Sequence, residues 1–190
     1  MNLDLHPESV LFLTLDSCRY DSFCKAHTPA LKSIAPLHKA QAPSHFTYGS
    51  HASFWMGFTP GIPSRSKVPW LNPKSGKLFR MKNSAAPHHG KDAFELLGSN
   101  IIEGFRELGY YTLGTGAVGW FDQSTPTGSV LASPFDQFWY SGNTWNLRKQ
   151  LSWLFQQMQY QGSDTPLFVF LNVGETHVPY WHEDADWEQW

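Results

Sequence analysis

Two short runs of apolar residues frame the chain, VLFLTL at residues 10–15 and LFVFLNV at residues 167–173. Neither alternates regularly with polar residues, the pattern of a parallel strand covered on both faces. On that pattern the first run is expected to be a central strand. It ends on Asp16, whereas the second follows SDTP and runs out into GETHVPY. Between them GYYTLGTGAV, residues 109–118, reads as a third strand broken by glycine. The segment before it, NIIEGFRELG, repeats its apolar residues at helical spacing and stops on Gly109. Upstream, TPALKSIAPLHKA reads as a helix with Thr28 at the N-cap and Pro29 at the first helical position. The longest helical candidate, NTWNLRKQLSWLFQQMQYQG at 143–162, leads straight into the last strand.

Strands alternating with helices predict an α/β fold, a mostly parallel sheet sandwiched by helices. Ligands of such sheets sit at the carboxyl ends of the strands, where Asp16 and the GETH group both fall. A length of 190 residues suits one hydrophobic core, so residues 1–190 are read as a single domain. The stretch from Thr59 to Gly90 is rich in Pro, Gly, Ser and Lys, has no periodicity and exceeds ordinary loop length, which suggests a functional excursion.

Charge sharpens that reading. Arg65, Lys67, Lys74, Lys77, Arg80, Lys82 and Lys91 lie in this region without a single acid between Gly61 and Lys91, so the loop of residues 59–91 is a basic surface available to an anion. The whole chain carries a net charge of −2, which gives no general reason to bind nucleic acid or an anionic membrane. Its two cysteines, Cys18 and Cys24, form neither a CxxC motif nor a disulfide framework, as expected of reduced thiols in a cytoplasmic protein. The opening MNLDLHPESVLFLTLD reads as a first strand, not a cleavable leader. No apolar run approaches the ~20 residues of a membrane span.

The candidate chemistry clusters in three places. In LTLDSCRYDSF a carboxylate closes a buried strand, with Arg19 and Asp21 on the following turn. Asp16 there can ligate a cation, since strand ends hold carboxylate oxygens rigidly, or it can simply cap the turn beside an Arg–Asp pair. Thr47 stands just ahead of YGSHASFWMG, a short helix whose positive end favours an anion. Its hydroxyl can attack phosphorus or sulfur. The plainer alternative is that Thr47 or Ser50 only caps the helix. A Ser50–His51 dyad is disfavoured, because neighbouring helical side chains point about 100° apart, and no G-x-S-x-G elbow is present. Past the last strand, Glu175, His177 and His182 offer polar groups. The PHHGK histidines at 87–91 are read as solvated.

In this order the pieces resemble the alkaline phosphatase and sulfatase superfamily. LFLTLDSCRYDSF resembles the family's TLDTLRADHL opening, and TPALKSIA its TPNLDRLA helix. TYGSHASFWMG resembles the TFPNHYTLVTG of nucleotide pyrophosphatases, which matches Thr47 to the nucleophile, with His51 and Gly57 also aligned. FRELGYYTLGTG is similar to an L-x-x-x-G-Y-x-T helix and strand, and FVFLNVGETHVPY to a strand ending in H-x-P-Y. The resemblance covers about residues 9–182.

The resemblance implies a metal-dependent hydrolase of phosphate, or less readily sulfate, esters. Thr47 would be the nucleophile and Asp16 and Thr47 metal ligands, while His177, His51 and Arg19 would contact the substrate. The implied cofactor is a divalent cation, zinc first, with manganese and calcium as alternatives, and the partner is a small anionic ester. Three departures qualify this. No Cys lies in a C-x-P-S-R context, which disfavours a true sulfatase mechanism. GAVGW replaces the family's G-K-W-H, and the family's C-terminal metal-binding segments and strands have no counterpart by Trp190. The rival expectation is a non-catalytic member whose open sheet edge is covered by another copy or a partner chain.

Overall fold

The computed structural model describes residues 5–57, 61–62, 70–71, 99–182 and 184–187. The PHHGK histidines lie outside the described residues. So does the basic loop, apart from a two-residue antiparallel ribbon, β2 (Gly61–Ile62) with β3 (Trp70–Leu71).

Four strands make the main sheet: β1 (Val10–Leu15), β4 (Tyr111–Gly116), β5 (Gln137–Tyr140) and β6 (Leu167–Val173), in the order β1-β6-β4-β5 and all parallel. Helices α1 (Tyr20–Lys25), α2 (Pro29–Lys32), α3 (Thr47–Met56), α4 (Ile101–Glu107), α5 (Pro126–Ala132) and α6 (Leu147–Gln161) connect them. The α/β parallel arrangement expected from the chain's alternation is thus present.

Side-chain alternation along β6 divides the core in two. Phe168 and Phe170 face α3, α4 and α5, where they join Tyr48, Trp55, Ile102, Phe121 and Leu131. Leu167, Val169, Leu171 and Val173 face the other way, onto Leu154 and its neighbours on α6. In β1, Phe12 packs with the first layer, and Leu13 and Leu15 with the second. Period-two geometry then puts Thr14, Asp16 and Asn172 on the aromatic side, at the carboxyl end of the sheet. The register seats Thr14 beside Asn172, and Asn172 beside Gly116.

Two expectations need correction. Among the described residues β1 is an edge strand, not a central one, and Leu11 is 61% exposed. Its hydropathy matches that of β6, whose seven residues are all buried, and only the spatial neighbours separate the two. The helix read over TPALKSIAPLHKA is a single turn, α2. Pro36 disfavours helical backbone at Ala35, and no residue of α2 is buried to sustain a longer helix. Thr28 stands at the N-cap position, yet its hydroxyl makes no cap bond and has no hydrogen-bond partner among the described residues.

The α4 start is better made: Asn100 accepts from the Ile102 and Glu103 N–H groups while Glu103 reaches back to Asn100 N–H. Gly57, at φ 72°, takes the left-handed turn that ends α3. No described helix is long and apolar enough to cross a membrane.

Candidate active site

Asp16 follows directly on β1, its N–H bonded to the Val173 carbonyl at 2.9 Å and its own carbonyl accepting from the Thr176 hydroxyl at 2.6 Å. The ends of β1 and β6 are therefore tied together by the residues that follow them. Ser17 then takes a φ of 59°, the left-handed region that non-glycine residues enter at a cost of about 1–3 kcal/mol. That turn leaves the Ser17 hydroxyl 3.3 Å from Asp16 Oδ1.

Asp16 is a buried residue, with a relative exposure of 7%. Thr47 Oγ1 lies 3.3 Å from both of its oxygens, and Asn172 Nδ2 donates to Oδ2 at 3.0 Å. Thr47 is the first residue of α3. The N-cap position belongs to Phe46, whose side chain makes no cap hydrogen bond. The plainer reading of Thr47 as a capping residue is therefore not what the fold uses. Its hydroxyl turns to Asp16 instead, at the positive end of a ten-residue helix.

Above this pair opens a cleft of about 400 Å³ lined by Ser17, Cys18, Ser44, His45, Phe46, Thr47, Ser50, Trp120 and His177. Thr47 and His177 thus share one cavity at the carboxyl end of the sheet. The His177 Nδ1–H donates to the Val178 carbonyl at 2.6 Å, which leaves Nε2 as the nitrogen able to meet a ligand. Arg19 is placed differently. It lines an adjoining cavity of about 300 Å³ with Glu175, Thr176 and Tyr180, and is bound to Asp21 by two hydrogen bonds of 2.9 and 3.0 Å.

His51 lies below the cleft. Its ring is packed by Phe54, Trp55, Phe121 and Phe170, and it is only 4% exposed. Nδ1 meets the Thr47 carbonyl at 2.8 Å and Nε2 meets Thr14 Oγ1 at 3.2 Å, so both nitrogens are engaged within the protein. Burial lowers its pKa, although the Thr47 carbonyl and Asp16 act the other way. The Ser50 hydroxyl is directed to the Ser44 carbonyl at 3.1 Å, so Ser50 and His51 do not form the dyad considered above. Partial burial pushes the Cys18 thiol up, which keeps it protonated and a poor nucleophile.

Sequence reasoning did not single out Asn172, Thr14, Ser44, His45 or Trp120. Trp120 belongs to GAVGW, the segment read as a loss of substrate contacts, yet it lines the cleft. The signal for Asn172 was a lone amide within an apolar strand, close to the strand's carboxyl end. A larger cavity of about 580 Å³ lies at the opposite end of the sheet, around Arg106, Tyr111, Asp136 and Thr165. None of the candidate groups above lines it.

No protein-family model matches the chain, and no curated protein does. Among solved structures the chain is similar to a protein in the alkaline phosphatase superfamily from Vibrio parahaemolyticus, with 19% identity and a TM-score of 0.39. The match takes in 73% of this chain and 31% of that one, a likeness too slight to assign any residue.

Proposed function

We propose that the chain is a hydrolase of small anionic esters, phosphate in preference to sulfate, with Thr47 as its nucleophile. The observation that carries this reading is the Thr47 hydroxyl held 3.3 Å from both oxygens of a shielded carboxylate, at a helix start that opens on a cleft. As the Thr47 oxygen bonds to phosphorus, its proton passes to Asp16 and on to the departing oxygen as the P–O bond to the leaving group breaks. Water then attacks phosphorus, giving up a proton to Asp16, and the phosphothreonine bond breaks as that proton passes to the Thr47 oxygen. The start of α3 faces the negative oxygens, and His177 lines the same cleft. Arg19, in the adjoining cavity, meets the more distant part of the ester.

The resemblance implies a divalent cation, zinc first and then manganese or calcium, held by Asp16 and Thr47. The described residues contain no group of three His, Cys, Asp or Glu side chains that could hold one. The groups crowding Asp16 are the hydroxyls of Thr47 and Ser17 and the amide N–H of Asn172. An amide N–H repels a cation, so these residues alone do not fit a metal centre. Such a cation would draw its other ligands from outside the described residues.

The test is turnover of a panel of phosphate monoesters, phosphodiesters and sulfate esters, with and without added zinc, manganese or calcium. Acid quenching should trap phosphate on the peptide that contains Thr47. Absence of both turnover and labelled peptide from wild-type protein would refute the proposal.

A second reading, a non-catalytic binding protein, is favoured by β1, an edge among the described residues with Leu11 exposed. Its partner would be a second copy or another chain adding a strand there. Sedimentation of a monomer whose mass does not change with concentration would remove the homo-oligomeric form of this reading.

A further inference from the structure

The hydrogen bonds beneath the cleft close into a ring, and valence fixes their directions. Asn172 is oriented by the Ala117 N–H, which donates to its Oδ1 at 3.4 Å, and its backbone carbonyl is held by Gln150 Nε2 at 3.0 Å. Its amide nitrogen then spends one N–H on Asp16 Oδ2, at 3.0 Å, and the other on Thr14 Oγ1, at 3.1 Å. The Thr47 carbonyl can only accept, so His51 carries its ring proton on Nδ1 and donates it there. Nε2 of the neutral ring is then a lone pair, and the Thr14 hydroxyl donates its single proton to it. The Thr47 hydroxyl completes the circuit by donating back to Asp16.

We propose that Asn172 is a positioning residue, which fixes the angle between the Asp16 carboxylate and the Thr47 hydroxyl through the ring Asp16–Asn172–Thr14–His51–Thr47. The proposal rests on the hydrolase reading of the same site and deepens it. The ring joins three elements that share no chain neighbours, β1, β6 and α3. Register supplies the first link, since Thr14 and Asn172 are direct partners across the parallel pair. Helical geometry supplies the last, since His51 is four residues beyond Thr47 and its ring reaches back over one turn. The aromatic walls around His51 shield its two links from water. Every side-chain donor of the ring is engaged within it.

The decisive measurement is the nitrogen spectrum of full-length protein with labelled histidine, the His51 signals being assigned by their loss in His51→Gln. The ring requires a neutral His51 with its proton on Nδ1, and a proton on Nε2 instead overturns it. The second arm uses Thr14→Val, which removes the hydroxyl at nearly constant shape, beside Thr14→Ser, which restores it. Thr14→Val is expected to move the Nε2 resonance and, on an ester found to be turned over, to lower kcat by about tenfold or more with KM unchanged, because small misplacements of reacting groups are costly. Thr14→Ser should recover both readings. An Nε2 resonance that stays in place in Thr14→Val, or a kcat equal to wild type, refutes the positioning role. An intact ring in a wild-type protein that turns over no ester would refute the hydrolase reading alone.

Discussion

Replacing Thr47 by Val separates a reactive hydroxyl from a structural one. Val matches Thr in shape and β-branching and has a similar helix propensity, so the backbone of α3 should hardly notice the change. No N-cap side chain is lost, because Phe46 and not Thr47 occupies the N-cap position. What disappears is one hydroxyl proton shared between two oxygens at 3.3 Å each, longer than the usual O–H···O bond. Asp16 keeps Asn172 and Ser17 as donors. A bond of this length to a charged acceptor sits at the low end of its class, about 1.5 kcal/mol. For a chain of this size that corresponds to a fall in Tm of roughly 3–6 °C. Removing a nucleophile, in contrast, should lower kcat on the order of 10³-fold or more. Thermal melting and steady-state kinetics on one preparation read both quantities. The reasoning fails if turnover persists, or if Tm falls by more than about 10 °C and the lost activity follows the unfolded fraction.

Four further outcomes are expected. Phe170→Ala removes a buried ring packed by Phe12, His51, Trp55, Phe121, Phe135 and Phe138, and urea titration should show a loss of about 3–5 kcal/mol. Asn100→Ala breaks the capping box of α4 and should cost about 1 kcal/mol in the same assay. His51 has a folded-state pKa below its ordinary 6.5, so the unfolded chain binds the extra proton first. Stability from this group is present above pH 6.5 and declines as pH falls below it, and urea titrations between pH 5 and 8 should show a smaller acid decline in His51→Gln than in wild type. His177→Ala should raise KM for an ester substrate with little change in Tm, which substrate titration and melting would check.

The carboxyl-end position of the site was legible because Asp16 ends one apolar run and GETH follows another, and parallel sheets gather such ends together. His177 and Thr47 consequently share a cleft. The floor of the site was not legible. Thr14 and Asn172 sit inside runs that score as apolar, and their pairing depends on a register that hydropathy does not encode. His51 was read as a substrate contact from its motif, whereas its neighbours Phe121 and Phe170 come from distant parts of the chain and bury it. Three of the elements missed, α1, α5 and β5, are short. Thr125 caps α5 ahead of Pro126, accepting from Gly128 N–H at 3.1 Å, while the same Thr–Pro pairing at Thr28 forms no side-chain cap. Identical local signals thus diverge according to what the helix packs against, because α5 buries Leu131 and Ala132 and α2 buries nothing.

The aromatic layer and the polar ring are parts of one arrangement. Alternation along β1 carries Phe12 to Thr14 to Asp16 on a single face, and along β6 it carries Phe168 to Phe170 to Asn172. Each strand therefore changes from apolar to polar on that face as it nears the carboxyl end, in step with its neighbour. The rings of Phe12, Phe170 and Trp55 pack together beneath the change, and the hydrogen-bonded groups lie directly above. A low dielectric strengthens the bonds and makes a missing partner costly, so each donor tends to stay with the acceptor it has. Only Thr47 among the ring's members also lines the cleft. Rigidity built from sheet register and core packing is thereby delivered to the Thr47 hydroxyl, the group proposed as the nucleophile.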